Sequence, residues 1–276
     1  MNTGRKNDLF RLALSLGMVI LCGSFVPARA VSTVTKTDGT VLQVKACRWI
    51  ESSSSFAIVK MDGSTLQLEK SLVDKIDMDK PAKYALAEEQ ISGKQYDAAI
   101  QSLDSVMTEY QKQGWDVDAA CRIAELYLTK KNDPRRAAQA LEKAVAGVPK
   151  SEITAQTQMM LWTCQLAQGA DKTPALRKEL DDAITGGQRD LAAAAYVVRG
   201  GLNRLAGQRE SAVLDYLRVV IMFDNVKSVQ PEALFRASQM LDEMKDPGGR
   251  GDVLRRKLLE LYPDSAYADE ARKKLG

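Results

Sequence analysis

Few side chains in this sequence are spaced for chemistry. The acidic pairs Asp181-Asp182 and Asp242-Glu243 carry the oxygen type that holds hard cations. Neighbouring residues face different sides of a helix, so neither pair yields a convergent ligand set. Arg250-Gly251-Asp252 spells an adhesion tripeptide within a glycine-rich turn. The surrounding PGGRGD lacks the spacing and the preceding strand of a phosphate-binding loop. Ser52 to Ser55 reads as a solvated turn. A serine–lysine hydrolase needs no histidine, but S-x-x-K occurs nowhere. The chain has no histidine at all, which removes histidine triads and HExxH zinc sites. No catalytic, cofactor or metal residue is nominated, and the expected activity is not enzymatic.

The cysteines add little. Cys47, Cys121 and Cys164 follow no CxxC spacing and are expected as small buried hydrophobes. Cys22 lies in a different context, the apolar run from Leu12 to Phe25. Arg5, Lys6 and Arg11 precede that run and Ala28-Arg29-Ala30 follows it, the layout of a secretory signal peptide cleaved after Ala30. Lipoprotein processing at Cys22 is disfavoured by Leu21 before it, and an uncleaved anchor is the remaining alternative. Three cysteines then remain in an oxidising compartment, so at least one is free or paired between chains.

The chain has 276 residues, 45% apolar and 27% charged, a globular composition. Its formal charge of +3 comes from residues 1–30, and the remainder carries equal numbers of acidic and basic groups. That balance gives no electrostatic reason to expect nucleic acid or an anionic membrane as partner. Nothing after residue 30 is long and apolar enough to span a bilayer.

Residues 31–80 read as a small β module. VSTVTK, VLQVKACRWI, FAIVKM and STLQLEK are β-rich, with Asp38-Gly39 and Asp62-Gly63 as hairpin turns. KTDGTVLQV and KMDGSTLQL echo each other at a 24-residue offset. These hairpins, with the closing Val73 and Ile76, resemble SH3-like or Sm-like barrels. Trp49 and Phe56 are expected in its core, the alternative being a binding patch. Pro81 marks a change to helical patterning over 81–276.

A helical repeat occupies that second part. GKQYDAAIQSLDSV, NDPRRAAQALEKAV, DKTPALRKELDDAI, GQRESAVLDYLRVV and GGRGDVLRRKLLELYP align on Ala99, Ala137, Ala175, Ala212 and Gly251. The steps are 38, 38, 37 and 39 residues. So even a step is the signature of a solenoid of helix pairs. Here the chain resembles the tetratricopeptide repeat family over about residues 82–275. Tyr96-Asp97-Ala98-Ala99-Ile100 is similar to its opening of helix B. Ala120, Ala124 and Tyr127, then Tyr196 and Gly200, fall where helix A carries small and aromatic residues. Pro149 and Pro263 fall after helix B. The ending LLELYPDSAYADEARKKL is similar to exported bacterial members. The departures are a step longer than the usual ~34, Trp162 and Thr163 near a crossing point, and Arg255 where an apolar residue should pack.

The resemblance implies a mainly α fold: five tetratricopeptide-like helix pairs after the β module, closed by a helix from Ala266 to Leu275 capped by Asp264 or Ser265. It also implies a concave groove that binds a protein or peptide. Family registers place Tyr84, Glu88, Glu125, Arg204 with Asn203 beside it, and Gln239 on that face. The expected function is an exported scaffold or adaptor in the periplasm or cell envelope. The alternative is a self-associating structural component of the envelope, a homo-oligomer.

Overall fold

The computed structural model describes residues 31–169 and 173–275. The expected signal peptide therefore lies outside the described residues. Five strands come first: β1 (Thr33–Lys36), β2 (Val41–Ile50), β3 (Ser55–Lys60), β4 (Thr65–Glu69) and β5 (Val73–Asp77). They form one antiparallel sheet in the order β4-β3-β2-β1-β5.

The two echoing segments build the same turn twice. Gly39 and Gly63 sit at φ +83° and +86°, which a side chain resists. Asp38 Oδ1 accepts from the Thr40 amide at 2.9 Å, and Asp62 Oδ1 from the Ser64 amide at 2.8 Å. β2 is long enough to pair β1 with its first half and β3 with its second, and a register shift between Val44 and Ala46 bends it. The inner face holds Val34, Val44, Cys47, Trp49, Phe56, Ile58 and Leu68. Trp49 and Phe56 are cross-strand partners with ring centroids 5.0 Å apart, both buried, as core residues should be.

Among the described residues eleven α-helices follow. They pair as α1 (Ala82–Ser92) with α2 (Tyr96–Glu109), α3 (Trp115–Leu126) with α4 (Pro134–Ala144), and α5 (Ala155–Ala167) with α6 (Thr173–Thr185). Then come α7 (Arg189–Leu205) with α8 (Arg209–Met222), α9 (Gln230–Glu243) with α10 (Arg250–Leu261), and the closing α11 (Ala268–Leu275). Local chemistry sets the starts. Pro134 opens α4, where its missing amide costs nothing, and Asp133 caps it by accepting from the Arg136 amide at 3.0 Å. The Trp115 indole donates to the Met78 carbonyl at 2.9 Å, fastening the exit from the sheet to the second pair.

The pairs close on small residues. On the first helix of each pair these are Ala87, Ala124, Cys164, Gly200 and Ser238, all buried. On the second they are Ala99, Ala137, Ala212 and Gly251, also buried. From Ala87 to Ala99 is 12 residues and from Ala124 to Ala137 is 13. The extra residue is taken up by a π-turn at Tyr127–Lys131.

The third pair corrects the sequence register by one residue. Ala175 is exposed, while Leu176 and Leu180 are 2% and 0% accessible. Leu176 thus occupies the slot that alanine or glycine fills elsewhere. Leu176 packs into the core around α7 whereas Cys164 packs into that of the first two pairs, and α5 packs mainly on α7 rather than on α6. Cys164, not Trp162 or Thr163, supplies the small residue of α5. At the chain end α11 begins at Ala268 rather than Ala266, and Ser265 does not cap it: its buried hydroxyl has no partner.

Candidate functional site

The nominated residues lie along the first helices α1, α3, α7 and α9 of the array. At its N-terminal end Tyr84 of α1 leans on Trp115, centroids 5.2 Å apart, with the Lys80 ammonium 5.5 Å from its ring. Burial first, then the charge of Asp118 on α3, raises the Tyr84 phenol. Glu88 pairs with Lys80, and Glu125 of α3 with Arg122. Glu125 also lies near enough to Tyr267, just before α11, to add to a phenol pKa raised mainly by burial and Glu232.

The C-terminal end is built from α5, α7, α8 and α9. A cleft of about 190 Å³ opens there. Met159, Thr163 and Leu166 form one wall, with Val197, Val198, Gly201, Arg204 and Leu205 of α7 opposite. Tyr216, Glu232 and Arg236 complete it. Arg204 donates to Glu243 at 2.7 Å, and Arg236 donates to Glu232 at 3.4 Å and to Gln239 at 3.2 Å. The cations at this mouth are therefore matched by carboxylates.

Five of the six nominated residues carry side chains at least partly accessible: Tyr84, Glu88, Glu125, Arg204 and Gln239. The structure groups Tyr84, Glu88 and Glu125 at one end and Arg204 and Gln239 at the other. Asn203 is a correction. It is 4% exposed, accepts from Arg177 at 2.9 Å and donates to Asp215 at 2.9 Å. A helix turns 100° per residue, so the neighbour of an outward Arg204 faces the interior.

Sequence reasoning missed what Asn203 belongs to. Asp215 of α8, its side chain 2% exposed, accepts from Arg199 at 2.8 and 3.0 Å and from Arg218 at 2.7 Å. Arg199 also donates to Asp181 at 2.8 Å. Asp215 and then Asp181 hold the Arg199 guanidinium above its ordinary range. The flagged Arg255 is a second such centre, 4% exposed and held by Asp242 at 2.8 Å and Asp252 at 2.5 Å. This use of Asp252, with Arg250 bound to Asp246 and Gly251 buried, leaves the adhesion tripeptide occupied by the fold. The three cysteines carry free thiols, and burial pushes Cys47 and Cys121 up to about 11 and Cys164 to about 12. Among the described residues no three His, Cys, Asp or Glu side chains are placed to hold a metal ion, and no helix is long and apolar enough to cross a membrane.

No family model and no curated protein matches the sequence. Solved structures do. TTC0263, a thermophilic tetratricopeptide repeat protein of Thermus thermophilus, matches 70% of this chain and 94% of its own, with TM-score 0.50 and 19% identity. YrrB, a tetratricopeptide repeat protein with an unusual peptide-binding site, matches at TM-score 0.35 and 16% identity over 69% of this chain and 90% of its own. The type IV pilus biogenesis factor PilW matches at TM-score 0.37 and 15% identity over 68% and 96%. With five successive helix pairs, four of them crossing on small residues, and the overlay on TTC0263, the helical part of this chain has the tetratricopeptide repeat fold.

Proposed function

We propose that this protein is an exported scaffold that binds a segment of another protein on its inner surface, in the periplasm or cell envelope. The supporting observation is the cleft between α5, α7 and α9, a concave apolar site with polar groups at its mouth. Tyr84, Glu88, Glu125, Arg204 and Gln239 line the groove around it. Export is supported by the basic start, apolar run and Ala28-Arg29-Ala30 of the first thirty residues. The charge balance after Ala30 favours a protein partner over nucleic acid. The β module is fastened to the second helix pair through Trp115 and Met78.

Changing Glu88, Glu125 and Arg204 together to alanine should leave folding intact, since exposed substitutions cost under about 0.5 kcal/mol each. Capture of the partner in crosslinked envelope extracts should fall, since truncating a hot spot costs about 2 kcal/mol or more. A folded triple variant with undiminished capture removes the groove from consideration. Intact mass of the exported chain checks for Val31 as first residue.

Self-association has its own support. Leu214 and Ile221, seven residues apart on one face of α8, are 50% and 71% exposed, with Met222 at 58% beside them. Light scattering decides: a monomer at working concentration ends this second reading.

A further inference from the structure

The cleft contains a polar group that the fold leaves unused. Tyr216 is 2% exposed as a residue, and its hydroxyl, which no hydrogen bond engages among the described residues, is not sealed in the core but opens into the cleft. A phenol that opens into a cleft is free to donate to a group bound there. Its placement is built. Gly200 and Gly201 let the Tyr216 ring cross α7: a Cβ on Gly200 would lie 2.7 Å from ring carbon Cε1. A Cβ on Gly201 would lie 3.7 Å from the hydroxyl oxygen. The ring therefore passes against one glycine and delivers its hydroxyl beside the other, at the floor of the cleft.

The remaining surroundings specify what fits. Val197 and Leu205 supply an apolar wall, and Leu205 stands 72% exposed at the mouth. Arg204 and Arg236 are already matched by Glu243 and Glu232, so the mouth offers no net charge to a charged ligand. The volume of about 190 Å³ falls below the ~300–1,000 Å³ of small-molecule sites. Resting on the scaffold reading above, we infer that this cleft is the anchor subsite of the groove. It takes one neutral aliphatic side chain of a partner segment, whose backbone carbonyl accepts a hydrogen bond from the Tyr216 hydroxyl.

The test uses the immobilised full chain and a phage-displayed random dodecapeptide library, with recovered peptides synthesised and their affinities measured. The peptides should share one aliphatic position, and its replacement by alanine should weaken binding at least about tenfold. Leu205→Asp, at an exposed position, should weaken the same peptides at least about tenfold without shifting the melting curve. Tyr216→Phe keeps the ring against Gly200 and should weaken them about threefold to tenfold, the range of one neutral hydrogen bond. Peptides that ignore both variants but are lost on Glu88→Ala with Glu125→Ala overturn the subsite and leave the groove reading standing. Peptides that share a charged residue or a free C-terminal carboxylate also overturn the neutral anchor. A library that yields no binder, or binders indifferent to every inner-surface variant, overturns both readings.

Discussion

The third and fourth helix pairs occupy neighbouring places in the same repeat and solve the crossing of two helices in opposite ways. In the fourth, Gly200 and Ala212 are both buried and α7 lies tight against α8, close enough for the Tyr216 ring to rest on glycine. In the third, Cys164 packs into the core of the first two pairs, with Ala120, Ala124 and Leu141, while Leu176 packs into the core around α7. Its α6 leans on α7 instead, and the Trp162 indole reaches Glu179 at 3.1 Å to join the two helices. A pair packs closely where both small residues meet at the crossing, and loosely where a neighbouring pair's core takes one of them. The repeat period sets only that there is a pair. The looser third pair leaves Met159, Thr163 and Leu166 of α5 to face α7, and that opposition is the cleft.

The largest effect should come from the polar centre of the tight pair. Asp215→Ala leaves Arg199 and Arg218 without their buried carboxylate and should cost about 3–5 kcal/mol in urea unfolding. A loss below about 1 kcal/mol would mean that solvent already serves those guanidiniums.

Next comes a matched pair of insertions at positions that the sequence aligns and the structure separates. Ala212→Leu should overpack the fourth pair by about 1–3 kcal/mol. Ala175→Leu, on an exposed face, should stay within about 0.5 kcal/mol. Equal melting shifts for the two would restore the even register and remove Leu176 from the crossing.

A smaller, chemical contrast concerns Cys164, the small residue of the loose pair. Its thiol is buried and pushed up to about 12. Because the thiolate is the nucleophile, iodoacetamide at pH 8 should modify native Cys164 at least about a hundredfold more slowly than in the urea-unfolded chain. Comparable rates would show that the third pair parts readily from the second.

How much of this was legible depended on the range of the interaction. The two Asp-Gly turns are four-residue events, and β2 appears with the ends read from composition, Val41 to Ile50. The small residues Ala99, Ala137 and Ala212 were legible because a close crossing tolerates no larger side chain, and the constraint repeats. Arg255 was legible as an anomaly, a charge in an apolar slot, but its partners were not. Asp242 lies 13 residues before it on the other helix of the pair. Asp215 carried no signal at all, since its main partner Arg199 is 16 residues away and nothing local distinguishes a paired aspartate from a solvated one.

Local chemistry along the chain is enough for the element types, the turn positions, the change at Pro81 and the helix-pair repeat, because these follow from propensity and short-range period. The absence of histidine chemistry and the charge balance after Ala30 are matters of count. Packing between helices is what turns Leu176 rather than Ala175 to the core and brings Asn203 inward. It also places the Tyr216 hydroxyl at the floor of a cleft beside Gly201. Each of these depends on the rotation of one helix against another. A 100° step separates adjacent residues, and a one-residue error in register exchanges a core position for a surface one.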